Sequence, residues 1–136
     1  MDLKEWTSIY VKHKDIIKKN IIKEEDKGSH IEYEYKNHIK HSYFIIPELN
    51  NADIDNINKK DFTTIVTRNK KENLDFLISE WEKLKEFPNM TFIFVNQELN
   101  TKWVIKPYTH HKISDEKSLV RGLTAMFYRC EGIEQQ

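Results

Sequence analysis

Residues 62–95 read FTTIVTRNKKENLDFLISEWEKLKEFPNMTFIFV. Segment 62–67 is rich in β-branched residues, which suit a pleated strand. Asn69 follows, with Glu72 three positions later, a variant of the capping box in which Asn takes the Ser/Thr role. Leu74, Leu77, Ile78, Trp81 and Leu84 then recur at helical spacing, and Pro88 stops the helix. Segment 91–95 is a second apolar strand. A strand, a helix and a strand with short connections make a βαβ unit. Its two strands are expected to be parallel and joined by a right-handed crossover.

Downstream, the loop 97–101 (QELNT) is short enough for a hairpin, so 102–106 is expected to run antiparallel to 91–95. Pro107 closes that strand. Ser114 or Asp115 caps a last helix whose buried stripe is Leu119, Leu123, Met126, Phe127 and Cys130. Gly122 lies in its middle, at a cost of about 1 kcal/mol relative to Ala. Close packing against the sheet is the simplest reason for it.

Upstream, residues 3–23 read as a first helix, with Leu3, Trp6, Ile9, Tyr10, His13, Ile16, Ile17 and Asn20 on one face. Gly28 is its breaker. Segment 30–36 alternates, with Ile31, Tyr33 and Tyr35 on one side, as in a half-exposed strand. Residues 37–40 turn the chain. The apolar run 43–46 suits a strand covered on both faces, and Pro47 ends it. Residues 48–59 read as a loop with a short helix. The expected architecture is one α/β (α+β) domain over 1–130: a mixed sheet of about five strands with helices packed on its faces. The tail 131–136 is expected to fray.

Composition narrows the function classes. At 136 residues the chain can bury one core without disulfides. Lys+Arg and Asp+Glu are both 22, so attraction to a polyanion must come from a local face and not from net charge. The single cysteine, Cys130, excludes an internal disulfide or a C-x-x-C zinc site, which makes cytoplasm the default expectation. It sits on a helical apolar stripe, the setting of a core residue rather than a nucleophile. The N-terminus has no apolar run of signal-peptide length, and no segment has membrane-helix length, so no membrane contact is expected. There is no G-x-G-x-x-G, Walker loop, HExxH or G-x-S-x-G, and three glycines could not build a phosphate loop. No cofactor or metal is expected on that ground.

The order helix, three strands, helix, strand loosely resembles the core of the restriction-endonuclease-like (PD-(D/E)XK) fold. The resemblance covers most of the chain and is one of element order. It implies an Asp and then a (D/E)-x-K on central strands, holding Mg²⁺ and poising a water. Glu34-Tyr35-Lys36 has the E-x-K form, but on the first strand in this reading, where the family pattern places it on the third. The third strand, FTTIVT, has no carboxylate; Asp53, Asp55 and Asp61 precede it.

Two groups of residues are candidate ligand sites. At the carboxyl edge of the βαβ unit, where open α/β sheets favour ligands, lie Arg68, Asn69 and Asn96, with Lys102 and Trp103 returning across the hairpin. A helix N-terminus with Arg and Lys nearby suits a phosphate or carboxylate. The plainer alternative makes Asn69 a cap and Asn96 a turn residue. At the opposite edge, Lys106, Tyr108, His110, His111 and Lys112 combine cations with stacking groups, as a base or phosphate requires. In extended chain the two adjacent imidazoles point apart, so a shared metal or proton-transfer site is not expected. The plainer alternative is a solvated loop.

The functional expectation is a non-catalytic binding or accessory domain contacting an anionic partner, RNA or DNA among them, through 106–112. One alternative is a metal-dependent phosphodiester hydrolase with a degenerate carboxylate site around Glu32, Glu34 and Lys36. Another is a protein-interaction subunit, which an apolar surface patch of several hundred Å² would mark.

Overall fold

A computed structural model describes residues 1–113 and 115–133 of the protein. Strands β1 (Ile21–Asp26), β2 (His30–Tyr35), β3 (Lys40–Ile45), β4 (Phe62–Arg68), β5 (Met90–Asn96) and β6 (Thr101–Ile105) form one sheet in the order β1-β2-β3-β4-β5-β6. β3, β4 and β5 are parallel, and the other neighbouring pairs are antiparallel. The expected parallel pair is present, with Thr63 opposite Met90 and Arg68 opposite Val95. The sheet is mixed as expected, but it has six strands rather than about five.

The additional strand is β1, which begins within the end of the expected helix 3–23 and runs on through the segment expected to stop it. Helix α1 (Leu3–Lys14) ends much earlier. Its stop is local chemistry: Asp15 caps the helix, and its carboxylate accepts from the amides of Asn20 at 2.8 Å and Ile21 at 2.9 Å. Lys19, at φ 51°, takes the left-handed turn between them. The chain reverses there and enters β1. The buried face of α1 also differs from the periodic reading. Leu3, Trp6, Thr7 and Val11 are buried, whereas Ile9 is 57% exposed.

Helix α1 covers one face of the sheet over Ile31, Tyr33, Tyr43, Val66, Ile93 and Val95. The other face carries the larger core. There α2 (Asn51–Asp55), α3 (Lys71–Ser79), α4 (Trp81–Leu84), α5 (Pro107–Ile113) and α6 (Glu116–Cys130) cover β4 to β6. Leu74, Leu77, Trp81 and Leu84 are buried as their spacing predicts, across a break at Glu80. β3 is only partly covered on both faces, since Phe44 and Ile45 stay half-exposed.

Further expectations need correction. Lys70, not Asn69, occupies the α3 N-cap position and makes no side-chain cap bond. β6 ends at Ile105, just before Pro107, and Pro107 itself opens α5, at the first helical position where its missing N–H costs nothing. Gly122 is not packed against the sheet: a methyl group there would meet nothing within 4 Å. Asp115 does cap α6, accepting from the Ser118 amide at 2.8 Å, while the alternative cap Ser114 lies outside the described residues. Residues 131–133 form a defined helix end. Glu131 caps α6, and Gly132 at φ 76° lets the Ile133 amide bond back to Tyr128. Residues 134–136 lie outside the described residues. No described helix is long and apolar enough to cross a membrane.

Candidate binding cleft between the first helix and the edge strand

The carboxyl ends of β4 and β5 lie together, bringing Arg68, Asn69 and Asn96 to one edge. The C-terminus of α6 is already seated on that edge. Asn69, only 6% exposed, donates to the Phe127 carbonyl at 3.1 Å and to Glu131 Oε1 at 2.7 Å. Its own side-chain oxygen accepts the Trp103 indole N–H at 2.7 Å. Asn96 donates to Glu131 Oε2 at 3.2 Å, and Thr101 Oγ1 donates to the Cys130 carbonyl at 2.5 Å. A carboxylate and the negative end of a helix thus fill the place proposed for an anion. An open depression of about 410 Å³ remains, rimmed by Arg68, Lys70, Gln97, Glu98 and Glu131. Trp103 faces the α6 side, stacked on Phe94 at 4.4 Å, while its neighbour Lys102 faces the α1 side.

The second group lies at the opposite edge, but on a helix. In α5, Lys112 donates to the Tyr108 hydroxyl at 2.7 Å and sits 3.9 Å from the centre of its ring. His110 turns inward to meet Trp81 edge-on at 5.9 Å. His111 lines a shallow hollow with Trp81, Glu82, Lys85 and Asp115. The imidazoles diverge as expected, though through helical and not extended geometry. Lys112 covers one face of the Tyr108 ring, so this segment offers less open ring surface than its composition implies.

A further cleft is one that the sequence did not indicate. It has a volume of about 740 Å³ and runs between α1 and the turn that leads from β5 into β6. Met1 and one stripe of α1, Trp6, Ile9, Tyr10 and His13, form one wall; Gln97, Glu98 and Asn100 from the turn before β6, with Lys102 on β6, form the other. Trp6 donates its indole N–H to Asn100 Oδ1 at 3.2 Å and stacks on Tyr10 with centroids 5.0 Å apart. The Lys14 and Lys102 ammonium groups each lie 5.3 Å from the Tyr10 centroid. At the far end of the same sheet face, His41 Nε2 and Thr64 Oγ1 are 2.7 Å apart, and His41 stacks on Tyr43 at 4.6 Å. Burial, and after it the nearby Lys14 and Lys106 cations, hold the His41 imidazole down at about 4. Burial likewise pushes the Tyr43 hydroxyl above its ordinary range.

The charges on the two faces are arranged differently. Glu25 and Glu32 are directly opposite on β1 and β2, and Lys27 sits 3.9 Å from both. Lys40 reaches Glu32 at 3.7 Å, and His38 lies 3.8 Å from Glu34. That face is a lattice of exposed ion pairs. Glu34-Tyr35-Lys36 falls on it at the end of β2, and a second E-x-K, Glu25-Asp26-Lys27, leaves β1 beside it. No group of three His, Cys, Asp or Glu that could hold a metal ion occurs among the described residues. By contrast, Lys14, Lys102 and Lys106 have no ion pair with any described carboxylate.

No protein-family model, no curated protein and no solved structure matches this chain.

Proposed function

We propose that the protein is a non-catalytic binding domain for an anionic partner, and that its contact surface is the cleft between α1 and β6. The observation that carries this reading is the pair of ammonium groups, Lys14 and Lys102, that make no ion pair with a described carboxylate and lie at equal distances from the Tyr10 ring on the cleft wall. Lys106 adds a third cation on the same side of the sheet. Cations that face no internal carboxylate keep more of their attraction for an external anion than those spent on Glu25 and Glu32. The half-exposed Val104 and Ile9 supply apolar contact beside them. Of the residues expected to bind, Lys102 and Lys106 belong to this surface. Asn69, Asn96 and Trp103 serve the fold.

The test is to titrate isotope-labelled protein with polyglutamate and with a single-stranded oligonucleotide, following amide and indole resonances. The reading expects shifts at the Trp6 indole, Tyr10 and Lys102 with either polyanion that binds. Shifts confined to α5, or none at all, would count against it.

A further inference from the structure

We infer that the anionic partner is an extended acidic polypeptide that adds to the free edge of β6 as a seventh strand. This rests on the reading of the cleft just given and specifies its partner. β6 ends the sheet, and no backbone hydrogen bond ties Thr101–Ile105 to anything beyond β5 among the described residues. An edge strand keeps a row of unused N–H and C=O groups, the template for strand addition. The opposite edge is protected: β1 is the charged segment IIKEED and breaks register between Ile21 and Lys23. β6 has no such irregularity in its pairing.

The side chains along β6 define what would pair there. Lys102 and Val104 lie opposite Val95 and Ile93, on the α1 face of the sheet, and both are exposed. Lys106 follows two positions later. The cleft beside the α1 stripe from Trp6 to His13 meets this row at Lys102. Side chains on one face of a strand recur every second residue, and cross-strand neighbours lie about 5 Å apart. An added segment of the form acidic–x–aliphatic–x–acidic would set carboxylates beside Lys102 and Lys106 and an aliphatic group over Val104. Nucleic acid suits the cleft less well. Single strands are held by open aromatic faces, and Tyr10 is already shared among Trp6, Lys14 and Lys102.

The experiment uses the whole chain and three probes: a peptide centred on Glu-Thr-Val-Thr-Glu, its Lys-Thr-Val-Thr-Lys counterpart, and an oligothymidylate. Affinity and amide hydrogen exchange are measured together. The acidic peptide is expected to bind, to slow exchange within Thr101–Ile105 and to leave β1 unchanged. Lys102→Glu with Lys106→Glu should weaken it by about tenfold or more, at an unchanged thermal midpoint. Lys102→Gln with Lys106→Gln should give a smaller loss. Peptide binding without slowed exchange in β6 would overturn strand addition. Oligothymidylate binding at the cleft in place of the acidic peptide would overturn it and leave the anionic-partner reading standing. Binding of neither probe would remove both. Self-association of the free protein through β6 would make a second copy the occupant and overturn the peptide.

Discussion

Trp103 on β6 donates its indole N–H to the side-chain oxygen of Asn69, 34 residues earlier, at 2.7 Å. The same Asn69 amide group then donates to the Phe127 carbonyl and the Glu131 carboxylate. One small side chain thus joins the edge strand, the end of β4 and the last turn of α6. Every polar atom of that side chain is used.

Asn69→Ala should therefore act as a stability mutation. It leaves a buried indole N–H without a partner and removes one of the two bonds to the Phe127 carbonyl, at a cost of roughly 2 kcal/mol. Urea unfolding should show the midpoint falling, while affinity for a polyanion stays near wild type at temperatures where the variant is folded. A loss of affinity with undiminished stability would restore Asn69 as a ligand.

His41 makes stability depend on pH in a defined window. Its imidazole is held neutral when folded, down to about 4, against about 6.5 in the unfolded chain. Between those values the unfolded state binds the extra proton, so stability rises with pH there. The contribution is complete above about 6.5 and is lost progressively toward about 4. It amounts to about 3 kcal/mol. His41→Phe should flatten that part of the pH profile in urea titrations; an unchanged slope would exclude His41 as its source.

Gly122 lies in the interior of α6 with open space around it. Gly122→Ala should raise stability by about 0.5–1 kcal/mol, because the unfolded chain loses freedom and nothing clashes. Thermal unfolding reads this directly. A destabilised variant would show that something occupies that space.

Cys130 is buried, and burial raises its thiol above the ordinary range despite the bond from Thr101. Native protein should react with a disulfide reagent only as fast as it opens, and denatured protein at once. Rapid labelling of the native state would contradict the placement of α6 on β6.

The parts of the fold legible in the sequence were those whose burial imposes a period. β4 and β5 are covered on both faces, so FTTIVT and TFIFV carry continuous β-branched and apolar runs. α3 and α4 bury one face and show it. β1 is an edge strand with little buried, so its residues carry no such pattern, and Ile16 and Ile17 extend the helical period almost to it. The true boundary is set by Asp15 capturing two amides, a contact that depends on the turn at Lys19. Pro107 suits both a strand end and a helix start, and only packing decides between them. The cleft was least legible of all. Trp6 and Tyr10 are more than ninety residues from Lys102, and nothing local in either segment marks the other. Asn69 drew attention as a cap or ligand because Asn is common in both roles. Its true partners, Trp103, Phe127 and Glu131, are all long-range.

The central claim is that the cations around Tyr10, and not those on the β1–β3 face, meet the partner. Elution from immobilised heparin tests it most directly. Lys14→Gln with Lys102→Gln should elute at clearly lower salt than wild type, and Lys27→Gln with Lys40→Gln should not, since those two lysines already face Glu25 and Glu32. Equal elution of both variants, or a larger loss for the second pair, would contradict the account.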